Sequence, residues 1–351
     1  MDELSIYLLP GRVSDPARAL TEAREAERLG FGRVWLAERP DLKEAAVVCG
    51  AVAASTEHIG VGTGLVIDAV RHPLMTAAFG ATMQAMFGDR FTLGLTRGVK
   101  SWVNGLGLRG STPAEFERYV ATLRGLWAGE KVPHRGENGE CHLEFVDKLR
   151  EPPPKLLWGT FGNTRGVEIA ARSFDAVALI PFFTVEAVAE TVRRVRAAVE
   201  RNGRDPAAFR IVHCMVTAPD LTEHEELAIV NARAVTYFQM PGYGDAVVAK
   251  NGWDRRVVED LRNHPVLAGS RGGVADLQFT RAQLVEVGRS LPEEWMRSGA
   301  ALGSAKDCCD RMREYFDAGV DEIWIHGTSP SQNAGLAELW RNEYRTRRNA
   351  C

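Results

Sequence analysis

Three kinds of residue in this chain carry chemistry: a glycine-bearing turn rich in hydroxyl and amide groups, an acid beside a base, and a histidine ending an apolar run. The turn is Gly159-Thr160-Phe161-Gly162-Asn163-Thr164, between the apolar run KLLWGTF and the helical stretch TRGVEIAARS. Backbone N–H groups at a helix start, with the positive end of the helix dipole, favour a phosphate or carboxylate. Thr160, Asn163, Thr164 and Arg165 add donors. Such a loop is also a common connecting turn, and alone it does not choose between the two readings. Glu38 and Arg39 follow the run RVWLA; a carboxyl can act as an acid, while a guanidinium, which stays protonated, can bind an anionic substrate or polarise a carbonyl. His326 ends DEIWIH and reads either as a satisfied core histidine or as a site residue. Trp102, Phe182, Phe183, Trp253 and Trp295 read as core packing or as pocket wall. No metal is expected: the six cysteines form no C-x-x-C pair and no Cys/His ligand spacing, and His326 alone sits where a ligand set would be. The thiols are expected to be free, in a reducing compartment.

These groups need a scaffold, and the stretch His58 to Gly98 shows its unit. IGVGTGLVI is a buried-strand type of run, MTAAFGATMQAM has apolar residues at helical spacing, and FTLGLT is a second strand, so the unit is strand, helix, parallel strand. The unit recurs. LSIYLL, RVWLA, IGVGTGLVI, FTLGLT, KLLWGTF, DAVALI, RIVHCMVTA and DEIWIH give eight strands, each followed by a helix. Helix starts are marked by Asp15-Pro16, with Asp at the N-cap and Pro at N1, by Thr112-Pro113 with Glu115, by Thr184 and by Ser304. A second helix is expected over 41–55 and a last one over 335–348. Two segments break the rhythm: 129–154, turn-rich with two strand-like pieces, and 222–298, helical pieces and loops of the kind that form a lid. Eight units in 351 residues argue for one domain, residues 1–351, folded as a closed (β/α)8 TIM barrel with insertions, an open sheet being the alternative. In such a barrel the chemistry sits on the loops after the carboxyl ends of the strands. A net charge of −3 gives no reason to expect nucleic acid or an anionic membrane as partner. Without an apolar run of about 18 residues or a signal-type N-terminus, a cytoplasmic protein is expected.

The segments REAERLGFGRVWLAER, IGVGTGLVIDAVRHPLMTAAFGATM, GDRFTLGLTRG and WGTFGNTRGVEIAARSFDAVAL resemble the luciferase-like monooxygenase superfamily, and within it the oxidoreductases that use the deazaflavin coenzyme F420. The resemblance covers the strands in order and nearly the whole chain, with R-H-P after strand three and G-D-R before strand four as its more specific marks. It implies a bacterial-luciferase-like barrel that binds coenzyme F420, or alternatively FMN, and transfers a hydride to or from a small organic substrate such as a carbonyl, imine or activated alkene. It implies a bulge at Gly64 and Leu65, often with a non-prolyl cis peptide, whose backbone props the central ring. It implies that Thr96, Arg97 and Gly98 line the cofactor tail, Arg97 otherwise being a surface ion-pair residue, and that Gly159, Thr160, Phe161, Gly162, Asn163 and Thr164 anchor it. Glu38 and Arg39 match an acidic residue followed, in many relatives, by histidine. Here arginine replaces that histidine, which leaves the proton donor and the substrate class open and makes Glu38 and Arg39 the candidate catalytic pair. An FMN-dependent monooxygenase using dioxygen, or a non-catalytic flavin-binding protein of the same fold, are the other readings. Relatives commonly pair through helices near the second and third units, and the Ala-rich AAVVCGAVAAS and MTAAFGATMQAM suit either a homodimer contact or packing on the barrel wall.

Overall fold

The computed structural model describes residues 1–39, 42–136, 138–268 and 274–344. Eight strands, β1 (Leu4–Tyr7), β2 (Arg33–Leu36), β3 (Gly60–Thr63), β4 (Phe91–Thr96), β5 (Lys155–Thr160), β6 (Ala176–Leu179), β7 (Arg210–Pro219) and β8 (Glu322–His326), pair in parallel around a ring. The register closes it: β8 lies between β7, with Ile325 opposite Met215, and β1, with Trp324 opposite Ser5, while β7 also pairs with β6, Ile211 opposite Val177. The fold is the closed (β/α)8 barrel that eight strand-helix units require. Every residue of β1, β6 and β8 is buried, between helices outside and side chains inside, which is why these strands read as unbroken apolar runs.

The barrel helices are α1 (Arg18–Arg28), α2 (Ala45–Ala54), α3 (Pro73–Phe87), α4 (Pro113–Trp127), α5 (Thr164–Ser173), α6 (Val185–Arg201), α7 (Ala305–Asp317) and α8 (Ala334–Leu339). Their starts follow the side chains. Thr112 with Glu115 and Ser304 with Asp307 form capping boxes, and Thr184 caps α6. At α1 the start differs from expectation: Asp15 Oδ1 accepts from Ala17 N at 3.0 Å, but the regular helix begins only at Arg18, after a single turn. Glu44 caps α2, and Asp41, the expected start, lies outside the described residues. Beyond α8 the chain continues as a wider turn over Trp340–Tyr344, and the remainder of the expected last helix lies outside the described residues.

Between α4 and β5 the chain forms an antiparallel hairpin, Val132–Gly136 with Gly139–Leu143. Between β7 and α7 the described residues form six α-helices, the longest Glu223–Phe238, and a 3₁₀ turn at Pro265–Leu267. Two elements gave no sequence signal. One is a helix at Lys100–Gly105, and the other is the strand Ala301–Gly303, which pairs with Thr217–Pro219 and is too short to show a period. No helix among the described residues is long and apolar enough to cross a membrane.

Inside the ring, Trp324 stacks on Trp35 at 5.0 Å and on Tyr7 at 6.0 Å, filling the middle of the barrel. On the outer side of β7, His213 lies flat on Tyr315 of α7 at 4.7 Å, with both ring nitrogens buried and without hydrogen-bond partners. Burial pushes its pKa down to about 3. A base with a depressed folded-state pKa stays neutral while the unfolded chain takes up a proton below about pH 6.5, so its effect on stability is absent at neutral pH and destabilising as pH falls from there toward 3. The wild-type protein should therefore lose about 2 kcal/mol more stability than His213→Phe between pH 7 and 5, in urea titrations at both pH values. Equal losses would contradict a neutral buried ring.

Candidate active site

At the carboxyl ends of the strands lies a cavity of about 220 Å³ whose lining includes Tyr7, Glu38, Arg39, Gly64, Arg233, Trp324 and His326. A cavity of similar size, about 230 Å³, opens at the opposite end among Arg33, Lys155, Arg210 and Glu322, at the strand starts. Catalytic groups in these barrels come from the carboxyl ends, so the first cavity is the candidate site.

Its floor is built where β3 departs from regular pairing. Val61 lies opposite Phe91 and Gly62 opposite Thr92, whereas after the break Val66 lies opposite Leu95 and Ile67 opposite Thr96, so β3 has gained one residue on β4: a bulge. The Gly64–Leu65 peptide within it is cis, in agreement with what the family resemblance implied. Thr63 bridges the gap, its Oγ1 donating to Gly94 O at 2.9 Å and accepting from Gly94 N at 2.8 Å. Removing a hydroxyl that satisfies two buried main-chain groups is costly, and Thr63→Val should lower stability by about 2 kcal/mol. An unchanged denaturation midpoint would contradict this role. Two glycines are demanded by close approach: a Cβ on Gly64 would stand 2.2 Å from Trp324 Cη2, and one on Gly159 would stand 2.2 Å from Leu65 Cδ1. The bulge therefore lies between the carboxyl end of β5 and the barrel-filling tryptophan.

Glu38 and Arg39 leave β2 in different directions. Glu38 is buried, its Oε1 accepting from Arg71 Nε at 2.6 Å; burial raises its carboxyl pKa, and Arg71 opposes that rise. Arg71 also pairs with Glu44. Arg39 donates to Gly11 O, and its buried Nε has no hydrogen-bond partner. Two cations that sequence reasoning missed stand beside it. Lys43, 2% exposed, donates to Leu9 O at 2.9 Å and lies 5.6 Å over the Tyr7 ring. Arg233, 6% exposed, comes from the helix Glu223–Phe238 and pairs with Asp276 at 2.9 Å. The signal for both was weak: each sits on a stretch whose polar residues look solvent-facing, and only the tertiary fold turns them inward.

His326 belongs to the mouth. Tyr237 Oη lies 3.0 Å from its Nε2, and Tyr7 packs edge-on at 4.7 Å. Burial, with Arg233 and Lys43 nearby, drives its pKa well below the usual value, so the ring is neutral at pH 7. Burial likewise pushes Tyr7 up to about 12. Tyr237 stacks on Tyr243 at 5.0 Å, and Tyr243 meets Phe161 edge-on at 5.0 Å, so an aromatic wall runs from His326 to the loop after β5.

In that loop Thr160 Oγ1 accepts from Gly162 N at 3.1 Å and Asn163 Oδ1 accepts from Gly166 N at 2.8 Å. These oxygens shape the turn. What remains for an anion is the first N–H groups of α5, at Thr164 and Arg165, and the Thr164 hydroxyl, which accepts from Arg194 at 2.8 Å and keeps its own proton to donate. In the loop after β4, Thr96 Oγ1 accepts from Gly98 N, and Arg97 donates to Ser111 O at 3.1 Å rather than standing free. Of the aromatic candidates Trp102 lines the cavity, Phe182 and Phe183 are fully buried, and Trp253 and Trp295 stack on each other at 4.4 Å beside Phe238.

Ten buried side-chain polar atoms among the described residues lack a hydrogen-bond partner, and five belong to residues lining this cavity: Glu38 Oε2, Arg39 Nε, Asp276 Oδ1, Trp324 Nε1 and His326 Nδ1. Such atoms are costly to leave unsatisfied, so their clustering marks a place shaped for a polar ligand.

Known proteins point to the same architecture. The 5,10-methylenetetrahydromethanopterin reductase of Methanolobus tindarius is 25% identical over 317 residues, which span 88% of this chain and 90% of the relative. The coenzyme F420-dependent tetrahydromethanopterin reductase of Methanopyrus kandleri superposes with a TM-score of 0.78 at 17% identity, over 97% of each chain. An F420-dependent secondary alcohol dehydrogenase, solved in complex with an F420-acetone adduct, gives 0.67 at 17% identity, again over 97% of each. At these identities the two solved structures bear on the fold alone. The sequence profile described as luciferase-like monooxygenase matches residues 5–322, from the first barrel strand into the last. With the ring closed and the third strand bulged at Gly64–Leu65, that match makes the chain a member of the luciferase-like monooxygenase family.

Proposed function

We propose that this protein is an oxidoreductase that exchanges a hydride between coenzyme F420 and a small organic substrate, a carbonyl, imine or activated alkene. The observation that carries this reading is the cluster of partnerless buried polar atoms beside the Gly64–Leu65 bulge. The residues present fit a flat ring with an acidic tail. Gly64 and Leu65 offer main chain, Tyr7 and Trp324 offer flat walls, and the cavity is smaller than the ~300–1,000 Å³ of sites that enclose a whole ligand, which suits a ring whose tail lies outside. The tail would be held by Gly159, Thr160, Phe161, Gly162, Asn163 and Thr164, mainly through the start of α5, with Thr96, Arg97 and Gly98 along its course. The coenzyme supplies a carbon from which a hydride can leave or to which it can return.

The chain supplies orientation and charge. Glu38, held by Arg71, fixes a carboxyl at the cavity edge, and Arg39 offers a permanent cation where the family resemblance implies a histidine in many members. Neutral His326 and Tyr237, joined at 3.0 Å, form a fixed hydrogen-bonding pair at the cavity wall that can orient a polar group. The segment 222–298 acts as a lid, tied down by Arg12, whose side chain donates to Asp276 O at 2.9 Å and Leu277 O at 2.6 Å. The exposed Val47, Met75 and Met86 on α2 and α3, 60–72% accessible, support a homodimer built on these helices; a cytoplasmic location completes the reading. Equilibrium titration with coenzyme F420 and with FMN, followed by their absorbance, tests it. Saturable one-to-one binding of F420 is expected. Binding of FMN without a response to F420 would favour a dioxygen-using monooxygenase instead.

A further inference from the structure

We propose that the substrate carries a carboxylate, and that Arg39 and Arg233 clamp it at the rim of the cavity. This rests on the hydride-transfer reading and narrows it. The two arginines come from unrelated parts of the chain, the loop after β2 and the helix Glu223–Phe238, yet they converge on Gly11. Arg39 Nη2 donates to Gly11 O, and Arg233 Nη2 lies 3.3 Å from where a Gly11 Cβ would be. Each carboxylate of the cavity already has a guanidinium partner on one oxygen, the other oxygen having none. Glu38 is held by Arg71, and Asp276 by Arg233 Nη1. Arg39 makes no ion pair among the described residues; its buried Nε has no partner, and a neutral carbonyl takes one of its other N–H groups. That same carbonyl also accepts from Lys43 Nζ at 3.3 Å, so positive charge from two side chains meets at one uncharged oxygen.

A guanidinium that lines the cavity and makes no ion pair among the described residues calls for a planar acceptor that brings negative charge, and a carboxylate matches its fork. The pKa of His326 is depressed first by burial and then by the nearby charges of Arg233 and Lys43, in keeping with cations at this spot. With the cofactor ring in the cavity of about 220 Å³, the carboxylate-bearing ligand sits at its open rim, where Arg39 and Arg233 stand. The one other source of such an anion is the acidic tail of the cofactor itself, and the test separates the two.

Calorimetric titration of the full chain with succinate and with succinamide, at equal ionic strength and without cofactor, reads the clamp directly. Succinate should bind one to one, about tenfold or more tighter than succinamide. Arg39→Gln should weaken succinate binding about tenfold or more, and Arg39→Lys should restore part of it, with cooperative urea unfolding showing that both variants are folded. Arg233 is left in place because its removal would unpair Asp276. Equal binding of succinate and succinamide, no binding of succinate, or an Arg39→Gln protein that binds succinate like the wild type would overturn the clamp. So would competition between succinate and F420, which would give the site to the cofactor tail. Failure of F420 to bind while succinate still binds would instead overturn the hydride-transfer reading and leave the anion site standing.

Discussion

Gly64→Ala is expected to abolish cofactor binding at working concentrations while leaving a folded, weakened protein. The added methyl would stand 2.2 Å from Cη2 and 2.5 Å from Cζ2 of Trp324. Trp324 has nowhere to go: it is 4% exposed and stacked against Trp35 and Tyr7 inside the ring. Relief must come from the main chain of the bulge, the very surface proposed to support the ring. Overpacking of this kind costs about 1–3 kcal/mol, and a main-chain shift near 1 Å at a site that positions a ligand costs about a hundredfold. The expected result is a fall in F420 affinity of about a hundredfold or more with a stability loss of about 2 kcal/mol. Gly50→Ala is the matched control. A Cβ there meets nothing within 4 Å, and Gly50 sits inside α2, so the change should slightly stabilise the helix and leave binding alone. If Gly64→Ala bound F420 like the wild type, the ring could not rest on the bulge.

Arg233→Met is expected to produce the largest loss of stability, about 3 kcal/mol. Arg233 and Asp276 have side chains 7% and 15% exposed, and their 2.9 Å ion pair joins the helix Glu223–Phe238 to the short helix Ala275–Gln278. Removing the cation leaves Asp276 with one oxygen already lacking a partner and the other newly abandoned. Replacing both members should cost less than the sum of the single changes, because the second change removes the stranded charge. Urea midpoints of Arg233→Met, Asp276→Leu and the double variant make the comparison, and simple additivity would refute the coupling. Loss of the pair should also free the lid, read as faster proteolytic cleavage in the 222–298 segment.

The barrel and the position of its mouth were legible because they depend on short-range patterns. Buried parallel strands are apolar on both faces, and Ser, Thr and Asp caps mark where helices begin, so eight units could be counted and the loops after them named. Gly64 and Leu65 were legible through resemblance alone; the run VGTGLV by itself has the period of a plain strand, and the extra residue appears only when β3 is paired with β4. The loop after β5 lies between strand and helix as the sequence implied, but Thr160 and Asn163 spend their oxygens on the loop's own N–H groups and so differ from a simple donor list. Lys43, Arg233 and Asp276 were not legible. Arg233 and Asp276 lie in the segment without a barrel period, and more than two hundred residues separate Arg233 from Gly11, so no spacing rule connects them. His326, which the sequence left undecided, is settled by position: it faces the cavity, neutral and joined to Tyr237.

A crystal structure with coenzyme F420 bound is the most direct test of the claim that main chain at the barrel mouth supports the redox ring. The ring should lie against the Gly64–Leu65 peptide with its tail phosphate at the N–H groups of Thr164 and Arg165. A ring held elsewhere, at the opposite cavity beside Arg33 and Arg210 or out on the lid, would contradict it.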